Sequence, residues 1–140
     1  GRRQVMLANK GAPFAAARLA DECARLTQAW GGTVTPPRAF EDDIDKAGST
    51  VEPMKSSDFP AACGALADAV AEGSIRHGNQ PALNEAVKAA QWRSVGTSGE
   101  RAFQLKDAPE VGPLAAAVRA LRGLQGNAES IYESRGLVML

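Results

Sequence analysis

The chain has 140 residues, of which 44% are hydrophobic and 23% charged, a composition suited to one ordinary globular domain. Lys plus Arg and Asp plus Glu number 16 each, so the net charge is zero; that weighs against a dedicated electrostatic nucleic-acid binder but leaves room for one local basic face. No apolar run approaches the roughly 18 residues of a membrane span, and no charged-then-apolar leader opens the sequence, so neither a membrane nor a secreted destination is expected.

The sequence begins Gly1-Arg2-Arg3 without an initiator Met and enters the strand-like run Gln4-Val5-Met6-Leu7-Ala8 with no turn or cap before it. The expectation is a chain cut within a larger protein. Val5–Leu7 reads as a strand ending in a turn at Asn9-Lys10-Gly11. Pro13 suits the first turn of a helix, and Leu19, Cys23, Leu26 and Trp30 recur on one helical face before Gly31-Gly32 stops it. Thr33–Thr35 is a second short strand closed by Pro36-Pro37. The polar stretch 36–53, with Glu41, Asp42, Asp43 and Asp45, reads as an acidic surface insertion, a loop or partly disordered; it lacks the Gly and distal Glu of a calcium loop.

Ser56 or Ser57 caps the next helix, whose stripe is Phe59, Ala62, Cys63, Leu66 and Val70 and whose end is Glu72-Gly73. Ile75-Arg76-His77 is a short strand, Gly78-Asn79 a turn, and Pro81 opens a helix with Leu83, Ala86, Val87 and Ala90 inward. Ser94–Glu100 reads as a turn, Arg101–Lys106 as a strand, and Pro109 to about Leu124 as a helix with Leu114, Val118 and Leu121 facing the core. A tail over 127–140 carries Ile131, Tyr132, Leu137 and Leu140, enough to dock or to contact a partner. Strands and helices interleave, so the fold class is α/β. The two cysteines, Cys23 and Cys63, lie in alanine-rich helical patterns and read as small buried residues in a reducing compartment. With a single histidine and no CxxC pair, zinc is not expected.

Three groups of residues have chemical potential. The junction Lys106–Leu114 places Asp107 and Glu110 between a strand and a helix, where carboxylates can converge on a hard cation such as Mg²⁺; a helix N-terminus also favours acids by its dipole alone. His77 is a general acid or base in principle, and otherwise a hydrogen-bonding residue of its turn. Arg93, Arg101, Lys106, Arg119 and Arg122 supply a scattered basic set able to meet a phosphate backbone or simply to solvate helix sides and an edge strand. Residues 76–140 hold eight basic and six acidic side chains.

From about Met54 to Leu140 the chain resembles the C-terminal nuclease domain of the large terminase subunit of tailed bacteriophages, especially those of actinobacterial phages. The matching pieces, in order, are Asp68-Ala69-Val70-Ala71-Glu72-Gly73, Ile75-Arg76-His77, Gln80-Pro81-Ala82-Leu83 with Ala86-Val87, a strand with Phe103, Glu110-Val111-Gly112-Pro113-Leu114-Ala115-Ala116, and Ile131–Leu137. Gln4–Trp30 is similar to the family's strand followed by a proline-containing helix. The resemblance implies a ribonuclease-H-like mixed sheet with flanking helices, incomplete at the N-terminus. It implies a partial terminase nuclease domain over 1–140 and a parent that is a metal-dependent endonuclease cutting concatemeric viral DNA during genome packaging.

By the same resemblance the site residue is Glu110, with Asp107 as a fallback, each as a Mg²⁺ or Mn²⁺ ligand; from the basic set, Arg93, Arg101 and Lys106 are the residues expected to meet double-stranded DNA. Portal and small terminase subunit are partners, and the place of action is the bacterial host cytoplasm, transiently at the procapsid. ATP belongs to an upstream motor: no GxxxxGK[ST] string occurs here. The family's first acid falls before Gly1, and the second falls on Ala8 or Asn9, neither of them a carboxylate. The expectation is that this piece alone is inactive, and the alternative is a catalytically degenerate domain serving only to bind DNA, portal or procapsid.

Overall fold

The computed structural model describes residues 3–5, 16–97 and 99–134, with side chains over 18–97 and 99–124. The elements in chain order are β1 (Arg3–Val5), α1 (Ala16–Trp30), α2 (Glu41–Lys46), α3 (Phe59–Glu72), β2 (Ile75–His77), α4 (Pro81–Ala89), β3 (Trp92–Val95), β4 (Glu100–Phe103) and α5 (Gly112–Ser134). Short 3₁₀ turns at Arg38–Phe40, Ser56–Asp58 and Pro109–Val111 lead into α2, α3 and α5. The chain divides into two compact units, one of Gly1–Ala12 with Ser56–Val118, the other of Pro13–Lys55 with Arg119–Leu140.

In the first unit β1 and β2 pair in parallel, Val5 opposite His77, and β3 and β4 form an antiparallel hairpin, Trp92 opposite Phe103. Among the described residues these are two two-stranded sheets rather than the single mixed sheet expected. β1 meets the expected strand only at Val5; Met6 and Leu7 lie outside the described residues. α3 packs on β4 and buries Phe59, Ala62, Cys63 and Leu66 at helical spacing. It ends where the sequence predicts, at Gly73, whose φ of +71° makes the left-handed stop that glycine tolerates best. Neither Ser56 nor Ser57 caps it; Asp58 holds the N-cap position without a side-chain hydrogen bond.

The α3 stripe fails at one position. Val70 is 62% exposed, and so is Val87 of α4 at 56%. Both point along the apolar direction of their helices, but there they border an open cleft instead of packed core. The second half of β3, Ser94 and Val95, falls where the sequence predicts a turn. β3 is a strand because Trp92 gains a direct cross-strand partner in Phe103, while Gly96 and Gly99, at φ +64° and +82°, make the connection. β4 stops at Phe103, three residues short of the expected Lys106, and the chain turns at Asp107, where φ is +57°. α5 buries Leu114, Val118 and Leu121 as expected. It continues through Ser134, so 127–134 is helix rather than a separate tail; 135–140 lie outside the described residues.

In the second unit α1 packs on α2. Ala20 is buried on α1, whereas Trp30 at its last position is 82% exposed, contrary to the apolar face expected there. The strand expected at Thr33–Thr35 reduces to one parallel bridge between Val34 and Val51. Within the acidic stretch 36–53, residues 38–46 are helical and the remainder is turn, isolated bridge or irregular. Glu41, Asp42 and Asp43 occupy the first turn of α2 and Lys46 the last, complementing the dipole, while Ile44 is 1% exposed and anchors the helix. Asp42, Asp43 and Asp45 are exposed and Glu41 is half-buried.

Candidate functional site

Asp107, Glu110, Arg93, Arg101 and Lys106 lie in the first unit, whereas Arg119 and Arg122 of the basic set fall in the second. Asp107 and Glu110 share one turn. Ala108 N–H donates to the Leu105 carbonyl at 3.2 Å and Val111 N–H to the Ala108 carbonyl at 3.0 Å, which folds the chain from β4 into the 3₁₀ turn before α5. Both carboxylates are exposed. Glu110 stands in the first helical turn, where the dipole favours an anion with or without a metal. Hard cations need several oxygen ligands, and among the described residues no cluster of three or more His, Cys, Asp or Glu is placed to hold one. Two carboxylates on one turn do not fit a complete divalent-metal centre.

The basic residues are not gathered on one face. Trp92 and Phe103 are directly opposed and stacked, so they share a face of the hairpin. Side chains alternate along a strand, which puts Arg101 on that face and Arg93 on the other. Lys106 lies past the end of β4, where its carbonyl accepts from Gln104 Nε2 at 3.2 Å. The Arg101 guanidinium lies over the Trp92 ring, its carbon 5.1 Å from the ring centroid, and the Trp92 and Phe103 rings stack with centroids 4.4 Å apart. Among the described residues neither Arg93 nor Arg101 is in an ion pair.

His77 ends β2 and bonds into the turn that follows it. Its Nδ1 accepts the Asn79 N–H at 3.1 Å, and Asn79 Oδ1 accepts from Asn84 Nδ2 at 2.8 Å, tying the turn after β2 to α4. Beside it runs a cleft of about 630 Å³, walled by Leu66 and Val70 of α3, Leu83 and Val87 of α4, and the Trp92–Phe103 stack. Sequence reasoning missed the stack and the cleft. The signal for the first was Trp92-Arg93-Ser94-Val95, a β-prone start to a run that the Gly/Ser-rich loop behind it obscures.

No protein-family model matches the sequence, and a search of curated proteins finds no match. Solved structures do match. The large terminase of bacteriophage HK97 superposes with a TM-score of 0.59 at 18% identity, over 79% of this chain and 26% of that one. The large terminase nuclease of the thermophilic phage G20c superposes with a TM-score of 0.59 at 15% identity, over 76% of this chain and 63% of that one. The chain has the fold of a large terminase nuclease domain. A second structure of the G20c nuclease, with bound cobalt, matches with a TM-score of 0.54 at 16% identity, over 75% of this chain and 62% of that one. The chain therefore spans about a quarter of the HK97 terminase and under two thirds of the G20c nuclease. At such identities the terminase nuclease likeness carries the fold and leaves the roles of individual residues to be argued from this chain.

Proposed function

We propose that the chain is part of a phage large terminase subunit, of the actinobacterial-phage type, whose nuclease domain cuts concatemeric viral DNA during genome packaging. The observation that carries the reading is the shared fold over three quarters of the chain or more with two phage terminases. In this reading double-stranded viral DNA is the substrate, portal and small terminase subunit are partners, and the work is done in the host cytoplasm at the procapsid. A terminase nuclease crystallised with cobalt supports a divalent ion as cofactor, and Mg²⁺ or Mn²⁺ are the hard ions that suit carboxylates. Glu110 and Asp107 are what this chain's turn offers such an ion. A centre built on them needs at least one further acid, so no catalytic step is assigned to the pair.

The test is divalent-dependent nicking of supercoiled plasmid by the full-length parent and its Glu110→Ala variant. The expected result is cutting by the parent and a roughly hundredfold or greater loss in the variant, the scale of weakening a bound metal ion that stabilises transition-state charge. The 140-residue chain alone is expected not to cut. Equal cutting by parent and variant removes Glu110 from the mechanism. A parent that binds DNA but never nicks it, in Mg²⁺ or Mn²⁺, replaces the nuclease with a binding module.

A further inference from the structure

The β3–β4 hairpin carries an arrangement that the function proposed above does not use. Arg101 lies over Trp92 at 5.1 Å, and Trp92 is stacked on Phe103. Phe103 is 8% exposed, so the bottom of the stack is anchored in the unit's core, while Trp92 is 41% exposed and Arg101 faces water. A guanidinium held over an aromatic ring is attracted by the ring's quadrupole and, having five N–H donors in a fixed fork, still has donors left for an anion. The fork matches a phosphate diester's paired oxygens, the geometry in which arginine outperforms lysine. A long side chain fixed before binding also loses less freedom when it binds. Elsewhere among the described residues, the exposed Arg25 is held by Glu22 and Lys88 by Glu85, so their charges are already matched; Arg101 has no such partner there.

We propose that Arg101 is a phosphate-contacting residue for DNA and that Trp92 is its positioning residue, with Phe103 as the support beneath. This rests on the reading of DNA as substrate. The hairpin's two faces then have different roles. The stacked face presents one oriented cation, and Arg93, on the opposite face, takes no part in that contact.

The experiment is binding of a fluorescein-labelled duplex to the whole chain by anisotropy, at several salt concentrations, with circular dichroism confirming the fold of each variant. Trp92→Ala is expected to weaken binding about two- to fivefold, which is an exposed cation–π contact of about 0.5–1 kcal/mol converted at about 1.4 kcal/mol per tenfold. Its salt slope stays at the wild-type value because the charge remains. Arg101→Ala weakens binding and makes the slope of log affinity against log salt shallower by about 0.9, one phosphate contact. Arg101→Lys keeps the slope but still loses affinity, because the planar fork is gone. Trp92→Phe recovers most of the loss, and Trp92→Ala adds nothing in an Arg101→Ala background. Wild-type affinity in Trp92→Ala or in Arg101→Lys overturns the proposal, as does full additivity of the double variant. A wild-type chain that binds no duplex overturns the DNA reading itself, an outcome distinct from binding that ignores the stack.

Discussion

The two cysteines occupy different surroundings. Cys63 has no exposed surface on α3, while Cys23 is half-buried on α1. Burial pushes the Cys23 thiol above its ordinary range, and the neighbouring Glu22 carboxylate adds to the shift. The thiolate is the reactive form, so both effects slow Cys23. In the native chain at about pH 8, a thiol reagent such as DTNB is expected to label Cys23 slowly and Cys63 only after denaturant is added. Two thiols reacting at the rate of free cysteine under native conditions would contradict the burial of both. Their smallness and burial-prone alanine context were legible in the sequence. Which helix leaves its thiol partly open was not, because that depends on what packs against it.

At the level of elements, Gly123 of α5 records a close approach that no propensity shows. A Cβ added there would collide with the Thr35 hydroxyl and come within 3.0 Å of the Thr35 Cβ. Thr35 is buried, and its hydroxyl has no hydrogen-bond partner among the described residues. Glycine costs about 1 kcal/mol relative to alanine inside a helix, so Gly123→Ala would stabilise an unencumbered helix. Here overpacking of about 1–3 kcal/mol wins, and denaturant titration of Gly123→Ala should show net destabilisation that shrinks in a Thr35→Ala background. A stabilised Gly123→Ala variant would refute the contact.

Glycine and proline punctuation was the readable part of this scale: the stop of α3 at Gly73 and the start of α4 at Pro81 rest on local backbone chemistry. The helix α2 and the strand β3 were not readable. The acids of α2 resemble loop residues until Ile44 is seen to be buried, and β3 exists only because Phe103, well along the chain, closes over Trp92. The candidate site was legible to the same degree. Asp107 and Glu110 could be placed on one turn from the sequence, whereas whether other acids meet them is a matter of tertiary placement.

For the molecule as a whole, the zero net charge hides an uneven distribution. Four acids lie in Glu41–Asp45 of the second unit, and Arg93 and Arg101, without ion-pair partners among the described residues, lie on the hairpin of the first. Association with DNA in the proposed reading therefore depends on few contacts and on salt in proportion to their number. The open cleft beside α3 and α4 has a different practical meaning. Val70, Val87 and Trp92 leave apolar surface in contact with water around about 630 Å³ of space. Dyes such as ANS brighten on surfaces of that kind, and their brightening is commonly taken as the mark of a loosened, molten state. The native chain should brighten ANS while keeping a cooperative unfolding transition, and Val87→Gln should dim the dye without lowering that cooperativity. A fluorescence screen for misfolded variants would then score the intact protein as damaged.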